Sequence, residues 1–203
     1  MESIRGAILS GKLRPGEVLV ERRIADELQV SKTPVREALI VLARSGLVEV
    51  TRNRGSAVRE LTFDEVRYIY EMRALIEPRA VASAVADPAT SFAEAQAALD
   101  EAAAFGAAGG NGDRALANRR FHRAMYRGCK NSFLVASLDG MQDLTALATA
   151  GVLWEKWPTW EREADEHQEQ LDAAKRGDSE LVEALVRTHI EQSVERIKAL
   201  QSE

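Results

Sequence analysis

The chain has 203 residues and a single cysteine, Cys129. One cysteine excludes an intrachain disulfide and any multi-cysteine zinc site, and it agrees with a reducing compartment. Cys129 itself reads as a small buried residue. No apolar run approaches the roughly 20 residues of a membrane span, and the N-terminus lacks the basic-then-apolar layout of a secretory signal. A cytoplasmic protein with no membrane partner is therefore expected. There is no internal repeat, and compositional bias is confined to the alanine and glycine near residues 93–112. No strand candidate occurs after residue 60, and no His-Glu-x-x-His helix is present. Histidine is also scarce: there are only three, His122, His167 and His189.

The net charge of −5 is unevenly spread. Residues 1–60 carry 11 Lys/Arg against 8 Asp/Glu, whereas residues 61–203 carry 16 against 24. The first third is thus basic and the remainder acidic. Overall acidity does not exclude nucleic-acid binding, because contact depends on cations at the docking face.

The basic portion contains a legible pattern between Val20 and Arg59. A short amphipathic helix is expected over Glu21 to Leu28, with Ile24 and Leu28 on one face. After a turn at Gln29-Val30, Ser31 and Thr33 offer side-chain oxygens to the free N–H groups of a second helix, and Pro34 suits its first position. Thr33 is the expected N-cap. Val35, Ala38, Leu39 and Leu42 form the apolar stripe, leaving Lys32, Thr33 and Arg36 at the helix start and facing away from it. Such an end suits phosphates and guanine edges. Leu47 to Val50 and Ser56 to Val58 then flank the polar turn Thr51-Arg52-Asn53-Arg54-Gly55, a hairpin whose glycine easily adopts a positive φ. Arg52 and Arg54 sit at its tip, where basic arms of other modules reach DNA. The pattern is a winged helix-turn-helix; a solvated basic face, or a wing used for protein contacts, would produce the same pattern.

Residues Ile4 to Ser10-Gly11, Leu13-Arg14-Pro15-Gly16-Glu17, Val30 to Leu39, Leu42-Ala43 and Gly46-Leu47-Val48 together resemble the DNA-binding domain of GntR-family bacterial transcription regulators. That resemblance places Arg22, Ser31, Lys32, Thr33, Arg36, Arg54 and Gly55 at positions that touch DNA in the family. Lys32 stands where arginine is usual, which keeps the charge but loses the bidentate fork. Gln29 stands where glycine is usual.

The rest of the chain, residues 61–203, reads as an all-α antiparallel six-helix bundle following the 1–60 winged domain, so the fold class is mainly α. Thr62-Phe63-Asp64-Glu65 is a capping box that opens a long helix running to about Ala86. Further helices are expected from about Phe92 to Phe105, from the cap Asp113 to about Gly128, from Asn131 or Ser132 to Ala150, from the cap Thr159 to Gly177, and from the cap Asp178 nearly to the C-terminus. Trp154, Trp157 and Trp160 mark a break, and packing there is a simpler reading than lining a pocket. Asp139 and Asp143, with Arg119, Arg120, Arg123 and Arg127, read as solvated faces.

Each histidine falls on the apolar stripe of a different helix, so all three should point inward. A lone inward histidine is usually a core residue bonded to a carbonyl. Three in one small bundle are costly to bury unless they share a partner, and a divalent cation satisfies them together. Asn118, one turn before His122, presents an oxygen on the same face.

Asn118-Arg119-Arg120-Phe121-His122, Lys130-Asn131, Glu166-His167 through Leu171-Asp172-Ala173, Gly177-Asp178, His189, and Tyr70-Glu71-Met72-Arg73 through Glu77-Pro78 resemble the ligand-binding FCD domain of FadR-type GntR regulators, in its shorter VanR-like form. The resemblance implies a divalent metal, zinc, nickel or manganese, held by Asn118, His122, His167 and His189. Aspartate is the commoner family residue at the first of these positions. Neutral imidazoles and an amide leave the cation's charge uncompensated, so an organic carboxylate effector fits. Arg73, on an inward stripe, needs an anion: either Glu77 at i+4 or the effector, and the resemblance favours the effector.

The expected protein is a dimeric, metabolite-responsive repressor that binds a near-palindromic operator, with no catalytic residue. Rival readings are a metal-dependent enzyme or a metal-stabilised structural dimerisation bundle. Against the enzyme, no carboxylate is evidently placed as a base beside the cation, and Glu166 adjoins His167 on another face.

Overall fold

The computed structural model describes residues 2–51, 55–105, 110–153 and 159–201. The N-terminal part runs α1 (Glu2–Leu9), β1 (Val18–Leu19), α2 (Glu21–Leu28), α3 (Lys32–Arg44), β2 (Val48–Thr51) and β3 (Gly55–Val58). The three strands form an antiparallel sheet in the order β1-β3-β2, with Val48 opposite Val58 and Val18 opposite Ala57. Strand β1 is two residues long, too short to show an alternating pattern, and it escapes a reading of the sequence. The fold is a winged helix-turn-helix.

Two local corrections concern α3 and its turn. The N-cap is Ser31, not Thr33, because Ser31 is extended and Lys32 and Thr33 are already helical. Pro34 then falls on the third helical residue, still within the first turn where no N–H donor is required. Gln29 adopts φ 53° and ψ 44°, a left-handed conformation that costs a side-chain-bearing residue roughly 1–2 kcal/mol. This explains why glycine suits the position.

The second part is a bundle of α4 (Phe63–Val85), α5 (Ala93–Ala104), α6 (Asn111–Tyr126), α7 (Ser132–Ala148), α8 (Trp160–Lys175) and α9 (Ser179–Gln201), with a π turn at Thr149–Leu153 after α7. The Thr62 capping box is complete: the Glu65 N–H donates to Thr62 Oγ1 and the Thr62 N–H donates to the Glu65 carboxylate. Asn131 caps α7 by accepting from Phe133 and Leu134 N–H groups. The cap of α6 is Gly110 rather than Asp113, so that helix begins at Asn111. Pro78 lies inside α4. It lacks the N–H that would reach the carbonyl of Ala74, and Arg187 Nη1 donates to that oxygen instead at 3.3 Å.

The two parts share a boundary core. Ile8, Leu42, Leu47 and Val58 of the winged domain pack in one cluster with Ala146 and Leu147 of α7. A side chain on Gly112 at the start of α6 would overlap the Ser10 carbonyl, so glycine permits α6 to approach the end of α1. Asp143, expected on a solvated face, is instead buried at this boundary. Its two oxygens accept from Arg5 of α1 and Arg119 of α6, each at 2.5 Å. Helical periodicity around α7 could not reveal this, because the face that would be solvated in an isolated bundle is covered by α1.

Candidate DNA interface and metal centre

In the winged domain, Arg22, Ser31, Lys32, Thr33 and Arg36 are all exposed. Ser31 precedes α3, Lys32 and Thr33 lie in its first turn and Arg36 opens the next, all turned outward because Val35, Ala38, Leu39 and Leu42 hold the opposite face in the core. Arg36 Nε and Nη2 donate to both carboxylate oxygens of Glu21, at 3.0 and 2.9 Å. This fork ties α2 to α3 and holds the guanidinium out at the helix start. Among the described residues the ion-pair approach of Arg22, beside Glu21, is 3.9 Å to Asp26. Gly55 adopts φ +80°, the conformation expected of a hairpin glycine. Arg52 and Arg54 lie outside the described residues.

In the bundle, α6, α8 and α9 deliver His122, His167 and His189 to one buried locus. One ring nitrogen from each lies within 4.8 Å of the other two. His167 Nε2 and His189 Nε2 are 3.3 Å apart. Two nitrogens each about 2.0–2.1 Å from a tetrahedral ion would lie about 3.3–3.4 Å apart, so this pair has the separation that coordination requires.

Two carboxylates stand behind the rings. His122 Nδ1 is 2.8 Å from Glu77 Oε1, and His189 Nδ1 is 2.6 Å from Glu166 Oε2. A carboxylate on Nδ1 fixes the ring and directs Nε2 toward a ligand. Glu77 is the better buried of the two. It accepts from Arg73 Nε at 2.8 Å and from Gln142 Nε2 at 3.1 Å, while Arg73 Nη1 donates to Thr145 at 3.3 Å. Burial works to raise the Glu77 carboxyl, but Arg73 and His122 reverse this and hold it well below the usual carboxylate range. Burial pushes His122 down to about 4 and His167 well below its ordinary value. Both rings are therefore neutral near pH 7, the form that binds metal. The donor set fits a divalent cation.

Sequence reasoning missed both carboxylates. Glu166 is adjacent to His167 but serves His189, across the α8–α9 contact. From spacing alone Glu77 is only a partner for Arg73; that pair is present, so the burial of Arg73 is already balanced within the chain. Both lay within reach of one signal: a carboxylate on the inward or flanking position of a helix that also faces a histidine-bearing helix.

Asn118 is half-buried, one turn before His122, and lines a cavity of about 310 Å³ together with His167, Phe121 and Arg114. Trp160 lines it too, its ring 4.1 Å beneath the Arg114 guanidinium. Packing at a helix break thus does not describe Trp160 fully, and Trp154 and Trp157 lie outside the described residues.

A wing beside an exposed helix start, joined to a six-helix bundle with three converging imidazoles, defines a winged helix-turn-helix transcription regulator with a helical companion domain. Residues 1–58 match the family of bacterial regulatory proteins called gntR, and residues 68–192 match the FCD domain. The chain belongs to the GntR family of DNA-binding transcription regulators, in its FadR-type, FCD-bearing branch, and these are regulators rather than enzymes. The gluconate operon transcriptional repressor of Bacillus licheniformis is 26% identical over 187 residues, covering 88% of this chain and 75% of that protein. The regulator LutR of Bacillus subtilis is 28% identical over 205 residues, covering 90% and 92%. A GntR transcriptional regulator from Rhodococcus sp. RHA1 superposes with a TM-score of 0.84 at 27% identity, covering 98% of this chain and 95% of that one. Among the described residues no helix is long and apolar enough to cross a membrane.

Proposed function

We propose that this regulator is a cytoplasmic, metabolite-responsive repressor that binds a near-palindromic operator as a dimer and responds to a small organic acid at a divalent cation. His122, His167 and His189 would hold the cation, with Asn118 as the neighbouring oxygen donor; zinc, nickel and manganese suit this donor set. The observation that carries the reading is the convergence of three buried imidazoles, two of them backed by carboxylates. When bound, the cation would supply a positive charge and open positions for a carboxylate. The cavity beside His167 and Asn118 gives that carboxylate a place. Repression is supported by the name of the Bacillus licheniformis relative.

On the DNA side, Arg22, Ser31, Lys32, Thr33, Arg36, Arg54 and Gly55 form the contact set, phosphates supplying most of the affinity and Arg36 a base contact. Phosphate contact makes operator affinity fall steeply with salt. An effector shifts DNA binding only if its affinity differs between two arrangements of bundle and head. Support for such coupling comes from α6, which carries both His122 and Arg119, and from α7, where Gln142 bonds Glu77 and its neighbour Asp143 bonds Arg5 of the head. Arg73 acts in this reading through Glu77, holding the carboxylate that orients His122.

The test is operator release. An operator selected in vitro from random duplex is titrated with zinc-loaded and chelator-treated protein against a panel of carboxylic acids. Zinc-dependent thermal stabilisation by an acid, with loss of DNA affinity, supports the proposal. Stabilisation by zinc with no response to any acid would leave a structural metal, and no response to zinc would remove the site.

A further inference from the structure

Helix α4 carries a face that the bundle does not cover. Its exposed positions include Asp64, Tyr68, Met72, Leu75 and Arg79, spaced by four, four, three and four residues, so that all five share one face of the helix. The middle of the stripe is apolar: Tyr68, Met72 and Leu75 are 52%, 50% and 69% exposed. Its ends are charged with opposite sign. Val66, Tyr70, Arg73 and Glu77 hold the other face of α4 in the bundle, so the helix cannot rotate to hide the stripe. Three large apolar side chains on successive turns, rimmed by charge, have the anatomy of an interface core.

We propose that this stripe is the contact to a second copy of the chain, the two α4 helices packing antiparallel on a two-fold axis that crosses between Glu71 and Met72. The proposal rests on the dimer reading above and adds its surface and register. A two-fold contact must be self-complementary. A parallel arrangement would set Asp64 beside Asp64 of the partner subunit and Arg79 beside Arg79 of the partner subunit, like charge against like. The antiparallel arrangement places Tyr68 opposite Leu75 of the partner subunit and Asp64 opposite Arg79 of the partner subunit. Arg79 is available for that pair: among the described residues its ion-pair approach is 3.7 Å to Glu183, and its side chain is 77% exposed. Asp64 already accepts from Arg67 and Gln201, so the partner's arginine would extend an existing polar cluster at the rim.

The register also suits the operator. Each α4 begins at Phe63, directly after the winged domain, and the two starts would lie about 25 Å apart along the helices at 1.5 Å per residue. That is on the scale of the roughly 34 Å between half-sites one helical turn apart.

Sedimentation of the full-length protein across concentration tests the proposal. Leu75→Arg should weaken self-association by about 100-fold or more, because it forces an unpaired charge into the seam, while circular dichroism stays unchanged at this exposed site. Asp64→Arg and Arg79→Asp should each weaken the dimer several-fold, and the double variant should recover wild-type affinity. A Leu75→Arg protein that dimerises like wild type would overturn the α4 surface while leaving the dimer standing. Loss of association in both charge variants without recovery in the double would overturn the antiparallel register. A wild type that remains monomeric at every concentration would overturn the dimer reading itself.

Discussion

Replacing Glu166 with glutamine removes one negative charge from behind His189 and leaves the surrounding packing in place. Glu166 Oε2 is 2.6 Å from His189 Nδ1, and its other oxygen lies 3.5–3.7 Å from Arg162 and Arg196. The glutamine carbonyl can still accept the ring N–H, so the orientation of the imidazole should persist while the negative charge behind it is lost. Loss of such an outer carboxylate weakens metal binding by about 10- to 100-fold, or about 1.4–2.7 kcal/mol. The cost to folding should stay below about 1 kcal/mol, because the partners are partly solvated. Chelator-stripped protein titrated with zinc against a chromophoric competitor measures the affinity, with Glu169→Gln, exposed on the same helix, as the control. A zinc affinity within about twofold of wild type would refute the reasoning that Glu166 supports a metal ligand.

Three further outcomes follow from the same geometry. Arg36→Ala should cost about 1–3 kcal/mol of operator binding if the guanidinium leaves Glu21 for a base edge; unchanged affinity in a gel-shift titration removes it from the recognition surface. Gln29→Gly should stabilise the winged domain by about 1 kcal/mol in urea denaturation, since glycine adopts the left-handed turn without a Cβ clash; a loss of stability would contradict that account of the turn. In metal-free protein, the folded-state value of His122 lies near 4, below its ordinary 6.5. The unfolded chain therefore binds a proton that the folded chain refuses, and stability falls as pH drops through that window, by roughly 2 kcal/mol between pH 7.5 and 5. His167 shifts in the same direction. Chemical denaturation at the two pH values checks this, and a flat profile would show that His122 and His167 are not held neutral by burial.

Much of this molecule is legible in one dimension because local rules dominate where elements begin and which face they bury. The Thr62 box, a helix start at Asn131 or Ser132 and the stripe Val35-Ala38-Leu39-Leu42 are short-range features, and the structure holds all of them. The inward direction of the three histidines follows from the same periodicity. Contacts between helices were harder to read. Glu166 flanks a histidine on its own helix but serves one on the next, and Asp143 lies on a face that becomes interior only because α1 covers it. The cap falls at Ser31 rather than Thr33 because the backbone is already helical at Lys32, which residue type at the two positions does not reveal.

The most direct test of the central claim is the metal content of protein purified without chelating agents, measured by elemental analysis for the wild type and for His167→Ala. The account predicts about one equivalent of a divalent cation per chain in the wild type, a large loss in the variant, and equal operator affinity for the two proteins in the absence of acid. A wild type that carries no metal and takes up neither zinc, nickel nor manganese on titration would contradict it.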